Sequence, residues 1–275
     1  MTKDFLSAII ARKRQTIAEL YANCEVTALR TEALKCREDA APHRVRDALQ
    51  TASPSIKIIA EFKRISPSRG LIRAGLSPAE AAHSYERGGA CAISVLTDEE
   101  YFGGSIDDLI VVRANTGLPI LRKDFIIDPI QIYQAAIAGA DAILLIAAVL
   151  NDPLLQKMRA MAEDELGLDA LIEAHTADEM QRASAAGAKL IGINNRDLHT
   201  FEVSLQTSER LIAQTPPGAL TISESGLQTP QQLHRLRALG FCGFLIGESL
   251  MRTPDPAAVL RDLLENANQP QIVIS

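Results

Sequence analysis

AGADAILLIA, residues Ala138–Ala147, carries the reading that decides the fold. A helix ends on Ala-Gly, and the chain passes at once into a short apolar run rich in β-branched residues. Gly supplies the left-handed backbone that stops the helix. The run lacks strict polar–apolar alternation, as a parallel strand covered on both faces should. The same pattern returns as GGACAISVLT (Gly88–Thr97), AGAKLIGINN (Ala186–Asn195) and GFCGFLIGE (Gly240–Glu248). A spacing of roughly fifty residues is about two strand–helix units of a barrel.

Four more strand candidates complete the alternation: Ile56–Lys63, Leu118–Phe125, Leu168–His175 and Ala219–Ser225. Helical patterns follow at Pro78–Arg87, Ser105–Asn115, Pro129–Ala138, Pro153–Leu166, Ala177–Ala186, Leu205–Ala213, Pro230–Leu239 and Pro256–Ala267. Several open with a cap residue and then Pro, as in Ser77-Pro78, Asp128-Pro129, Asp152-Pro153, Thr229-Pro230 and Asp255-Pro256. Strict β–α alternation predicts an α/β chain closed into a (β/α)8 TIM barrel. An open doubly wound sheet is the structural rival, because alternation does not prove closure. Residues 1–275 read as one domain, with residues 1–50 as an N-terminal helical extension packed on the barrel. In that extension Phe5, Leu6, Ile9, Ile10, Ile17 and Leu20 predict an amphipathic helix, and a second covers Val26–Arg37. The triplet Arg12-Lys13-Arg14 reads as a solvated helix face, as do the loop charges Asp98, Glu99 and Glu100. Residues 268–275 read as a loose tail.

Composition narrows the function classes. A net charge of −6 is a poor match to a nucleic-acid binder, whose affinity rests on neutralising phosphates. The longest apolar run, Ala142–Leu150, is far short of the roughly 20 residues that span a bilayer. The N-terminus carries acid early and lacks a signal-peptide pattern, so the expected compartment is cytoplasmic. Cys24, Cys36, Cys91 and Cys242 form no CxxC pair and read as free thiols, with Cys91 and Cys242 buried. The histidines show no metal-ligand spacing, and no metal site or cofactor is expected.

In a barrel of this kind, chemistry sits at the carboxyl ends of the strands. Packing would prefer aliphatic residues there, and buried charges are costly unless paired. Strand one ends with Glu61 and Lys63, which a two-residue period sends to the same side. Strand three ends with Lys123, strand five with Glu173 and strand six with Asn194. Singly, each is a structural ion pair or amide. Jointly, they are acids, bases and hydrogen-bond donors in one cleft. Strands seven and eight end in Ser223-Glu224-Ser225-Gly226 and Ile246-Gly247-Glu248-Ser249. Small residues there let main-chain N–H groups approach an anion, and a short helix starting near Ser249 would add its positive end. The side chain of Glu248 is then expected to turn outward. His175 is either a proton carrier or a structural residue. Tyr101-Phe102-Gly103-Gly104 after strand two is either a plain loop with buried rings, the default, or a turn whose aromatic residues cover the site.

These motifs resemble those of the indole-3-glycerol phosphate synthases. The resemblance is carried by Ile59–Ser68 (IAEFKRISPS), Pro119–Phe125 (PILRKDF), Ile191–Leu198 (IGINNRDL), Ser223–Gly226 (SESG) and Phe244–Met251 (FLIGESLM). It runs through the whole barrel and includes the N-terminal extension. Ile65 stands where many members carry a basic residue. The resemblance implies closure of an indole ring on 1-(2-carboxyphenylamino)-1-deoxyribulose 5-phosphate, with loss of carbon dioxide and water, in tryptophan biosynthesis. It implies a phosphorylated small-molecule substrate, no cofactor, no metal, no nucleic acid or membrane partner, and a monomer. By the same resemblance Lys123 is the general acid at the ketone. Glu173 and Lys63 serve the dehydration, and Glu61 tunes the lysines. Asn194 and Arg196 hold hydroxyl and carboxylate groups. Ser66, Ser225, Gly226, Leu245, Gly247 and Glu248 line the phosphate site. The residues alone leave two rivals: an isomerase or Schiff-base aldolase on the same fold, and a barrel that only binds a phosphometabolite or a protein.

Overall fold

The computed structural model describes residues 5–51, 55–67 and 70–268. Among them, eight parallel strands close into a barrel: β1 (Ile58–Phe62), β2 (Ala92–Leu96), β3 (Ile120–Lys123), β4 (Ala142–Ile146), β5 (Asp169–Ala174), β6 (Leu190–Asn194), β7 (Leu220–Glu224) and β8 (Gly243–Ile246). Closure is made by β1 pairing with β8, Ile59 opposite Leu245, and with β2, Glu61 opposite Ser94. The open-sheet rival is thereby removed. Ser68 and residues 269–275, part of the expected tail, lie outside the described residues.

Alternation along each strand divides the core in two. Ile59, Leu121, Leu171, Leu190, Ile222 and Leu245 fill the barrel interior. Ile58, Ala60, Ile93, Ile143, Ile172 and Phe244 face the helical layer. The interior set matters for function, because two residues further along each strand the same face reaches the mouth.

Helices α1 (Phe5–Asn23), α2 (Val26–Arg37) and α3 (Arg44–Gln50) precede the barrel. Between the strands run α4 (Pro78–Gly88), α5 (Glu99–Phe102), α6 (Ile106–Ala114), α7 (Pro129–Ile137), α8 (Asp152–Ala160), α9 (Ala177–Ala185), α10 (Gln206–Leu211) and α11 (Pro230–Ala238), and α12 (Glu248–Arg252) and α13 (Pro256–Asn268) close the chain. The expected start signals operate: Ser77, Asp128 and Thr229 each form a reciprocal capping box with the residue three positions on. At α8 the cap is Asn151, whose Oδ1 accepts from Leu154 N at 3.0 Å, and Asp152 is already helical. The helix then ends in a π turn, Met161–Glu165. Gly139 and Gly187 stop their helices at φ 87° and 80°. No described helix is long and apolar enough to cross a membrane. The cysteines are free, with Cys91 and Cys242 only partly buried.

The extension departs from expectation in one respect. Arg12 and Arg14 are exposed, but Lys13 is buried at 8% exposure. Its Nζ lies 2.7 Å from Asp124 and 3.0 Å from Asp98, at the ends of β3 and β2. Asp98 is therefore not a solvated loop charge; it pairs with Lys13 and caps α5. Asp124 also accepts from Thr97 Oγ1 and from Arg122. Burial pushes its carboxyl up, but Arg122 and Lys13 override that and hold it down at about 2. At the other end of the barrel, α3 inserts Val45 and Leu49 into the interior cluster. Seven residues give too little periodicity to announce that helix in the sequence.

Lys13→Met leaves Asp98 and part of Asp124 without a counter-charge. The substitution is expected to cost about 3 kcal/mol in urea unfolding. Arg14→Met, one residue on at an exposed position, is expected to cost no more than about 0.5 kcal/mol. Equal effects of the two would refute the buried anchor.

Candidate active site

The barrel mouth holds a cavity of about 460 Å³, within the usual range for a small-molecule site. Glu61, Lys63, Lys123, Glu173 and Asn194 all line it. So do Ser66, Arg196, Ser225, Gly226, Leu245, Gly247 and Glu248. All twelve residues assigned to the site from the sequence thus reach one cleft, while His175 and Tyr101 are not among its lining residues. The cause is strand parity. Glu61 follows interior Ile59 by two, Lys123 follows Leu121, Glu173 follows Leu171, and Gly247 follows Leu245. Arg122, out of phase, points away and bonds Thr97 and the carbonyl of Gln131. Arg64 likewise leaves the cavity, forking onto Asp108 and lying over the Phe62 ring at 4.8 Å.

Two lysine–carboxylate groups result. Lys63 Nζ donates to Glu61 Oε1 at 2.6 Å. Lys123 Nζ donates to Glu173 Oε2 at 3.0 Å and lies 3.2 Å from Glu224 Oε2. Burial disfavours the charge on Lys123, but Glu173, Glu224 and Glu61 outweigh it and raise its pKa well above the ordinary lysine value. Glu173 is also penalised by burial, yet Lys123 and His175 bring it below the ordinary range. Glu224 goes the other way. Burial, with Lys123 opposing and Glu173 adding repulsion, pushes it up to about 7. Among the described residues its oxygens have no hydrogen-bond partner beyond the ion-pair contact of Oε2 with Lys123.

Glu224 lines the same cavity and pairs with Lys123, although the sequence motif around it pointed to Ser225 and Gly226 instead. Parity could have found it, since it follows interior Ile222 by two. Close-packed glycines make room for these carboxylates. A Cβ at Gly192 would meet Glu224 Oε1 at 1.9 Å, and one at Gly247 would meet Glu61 Oε1 at 2.6 Å.

The remaining walls come from loops. Ser225 and Gly226 both take positive φ, 67° and 76°, a sharp turn that is strained for serine. Asn195 holds this turn in place, its Nδ2 donating to Ser223 Oγ and to the carbonyls of Glu224 and Ser225. Asn194 Oδ1 accepts from Arg196 N at 3.0 Å. Arg196 lies 3.9 Å from Glu248, whose side chain also pairs with Arg252. The short helix after β8 begins at Glu248, one residue before the expected start. Of the two readings for the turn after β2, Phe102 follows the site-covering one: it lines the cavity and packs on Phe125 with ring centroids 6.2 Å apart. The extension contributes too, through Leu6 and Ile9.

Comparison with known proteins identifies the family of the chain. The family described as "Indole-3-glycerol phosphate synthase" matches residues 6–263. The indole-3-glycerol phosphate synthase of Bacteroides thetaiotaomicron is 45% identical over 265 residues, 96% of this chain and 98% of that protein. That of Carboxydothermus hydrogenoformans is 43% identical over 263 residues, covering 94% and 99%. Among solved structures, a thiamine phosphate pyrophosphorylase from Pyrococcus furiosus superposes with a TM-score of 0.57 at 14% identity, covering 78% of this chain and 96% of that one. At that identity it speaks for the fold alone. Relatives matched along nearly their whole length leave one conclusion: the chain belongs to the indole-3-glycerol phosphate synthase family, carboxy-lyases of tryptophan biosynthesis.

Proposed function

We propose that the barrel mouth closes the indole ring of 1-(2-carboxyphenylamino)-1-deoxyribulose 5-phosphate through Lys123, Lys63, Glu173 and Glu224. The observation that carries this reading is the convergence of both lysine–carboxylate groups on one cavity. Lys123 is held as an ammonium by two carboxylates, so it is a hydrogen-bond donor and not an amine nucleophile. A Schiff-base lysine needs the opposite, a lowered pKa. The aldolase reading therefore loses Lys123 as its nucleophile.

In the first step the substrate's ring carbon attacks its ketone. Negative charge grows on the ketone oxygen, and Lys123 stabilises it and passes a proton to it. An alkoxide is more basic than an ammonium, so the raised pKa of Lys123 does not block the transfer. Glu224, 3.2 Å away, is placed to return a proton to Lys123. Loss of carbon dioxide from the ring carbon restores aromaticity. The new hydroxyl then leaves as water, taking a proton from Lys63, while Glu173 accepts a proton from the adjacent methylene carbon, so that the broken C–O and C–H bonds are replaced by the ring's carbon–carbon double bond. Glu61, bonded to Lys63 at 2.6 Å, orients that acid.

Binding divides along the same lines. Leu6, Ile9, Phe102 and Phe125 offer an apolar wall to the aromatic ring. Asn194 and Arg196 face the substrate's hydroxyl and carboxylate groups. Ser66, Ser225, Gly226, Gly247 and Glu248 hold the phosphate, mainly through main-chain N–H groups, with Leu245 packed beneath. We read residues 1–275 as one domain and the protein as a cytoplasmic monomer; the free cysteines support a reducing compartment.

The assay is fluorescence of the indole product from the named substrate. Lys123→Ala is expected to lower turnover by at least about a hundredfold, the scale of general acid catalysis, with the fold retained. Near-wild-type turnover, or a borohydride-trapped adduct on Lys123, would reject the acid role. The pH profile tests Glu224. It is protonated below about 7, so turnover should fall as pH rises through that value. Glu224→Gln should be slower and should lose that alkaline limb; a limb that persists belongs to another group.

A further inference from the structure

His175 stands two residues beyond Glu173 on the same strand face, and the chemistry described above gives it no task. Its surroundings do. Nδ1 lies 3.2 Å from Glu179 Oε2, and the same oxygen accepts from His175 N at 2.8 Å. Glu179 is set there by the start of α9, where Thr176 Oγ1 caps its N–H. The imidazole's other nitrogen, Nε2, is buried, has no hydrogen-bond partner among the described residues and faces Glu173 Oε1 at 3.5 Å. If Nδ1 carries the only ring proton, as its bond to Glu179 requires, Nε2 turns a lone pair on a carboxylate oxygen. A second proton on the ring removes that clash and places an imidazolium between two carboxylates.

Glu173 is then bracketed. Lys123, from β3, holds Oε2, and His175 faces Oε1. Asn194, from β6, also favours its ionised form. Glu224, from β7, has the shared Lys123 as its counter-charge and, among the described residues, no other partner for its oxygens. The groups acting on His175 itself are Glu179 from α9, Glu173 and Glu224. Two buried carboxylates with one lysine between them would otherwise compete for a proton.

We propose that His175, braced by Glu179, is a positioning residue that keeps Glu173 ionised as the base and leaves the proton of the carboxylate pair on Glu224. The inference rests on the assignment of Glu173 and Glu224 made above. Environments that drive two neighbouring carboxyls apart are what divides acid from base in one site. Burial lowers the pKa of His175, but the bond to Glu179 and the charge of Glu173 outweigh it and raise it above the ordinary histidine value.

The test uses the full-length enzyme and its pH–rate profile. His175→Gln keeps a polar side chain but removes the charge. The acid limb, where Glu173 takes up a proton, should move up by about one to two pH units, the usual effect of a neighbouring opposite charge. His175→Lys restores a cation and should bring the limb back toward its wild-type position. A His175→Gln profile with wild-type midpoints, scaled equally at every pH, would overturn the proposal. So would equal displacement of the limb in the Gln and Lys variants. Should neither variant fold, Glu179→Gln with an NMR titration of the His175 ring reads the brace directly. Its midpoint should fall, and an unchanged midpoint overturns the proposal. A wild type that forms no indole product would count against the reaction; an active wild type indifferent to His175 counts against this inference alone.

Discussion

Lys123, clamped between Glu173 and Glu224 inside a closed barrel, is the interaction on which the site depends. A buried ammonium and two buried carboxylates are each unfavourable alone, and together they tolerate burial only at close range. That requirement constrains the neighbouring strands. Gly192 must lack a side chain so that Glu224 can lie across it, and Gly247 must do the same for Glu61. The barrel wall is thinned where the charges sit.

The N-terminal extension is tied to the same place. Asp124 follows Lys123 directly and so points to the opposite face of β3, where Lys13 and Arg122 meet it. A helix outside the barrel is thus joined by a buried ion pair to the residue next to the candidate acid. The same helix sends Leu6 and Ile9 into the cavity. Leu6, Ile9, Lys13 and Ile17 are the buried residues of that helix and share one stripe, so anchoring and lining use the same face, with Lys13 as its polar member.

Much of the site could be read from the chain because a barrel has few degrees of freedom. Once the Gly-terminated helix and apolar strand repeat is recognised, alternation decides which residues point inward. Glu61, Lys63, Lys123, Glu173 and Asn194 follow from that parity. The same rule applied to Ile222-Ser223-Glu224 selects Glu224, but the expectation of an anion-binding turn drew the reading toward Ser225 and Gly226. Lys13 was hidden for a different reason. Three consecutive cations look alike in sequence, and only the one facing Asp98 and Asp124 is buried.

Local order along the chain was determined by the sequence itself: strand and helix positions, the caps at Ser77, Asp128 and Thr229, and the inward phase of each strand. These depend on backbone sterics and on near neighbours, which the sequence displays directly. Tertiary structure alone decided which charges meet. Glu173 and Glu224 lie far apart in the chain and share Lys123 only because the barrel closes. Their opposite displacements, one down and one up, arise from burial and through-space charge, which have no local signature.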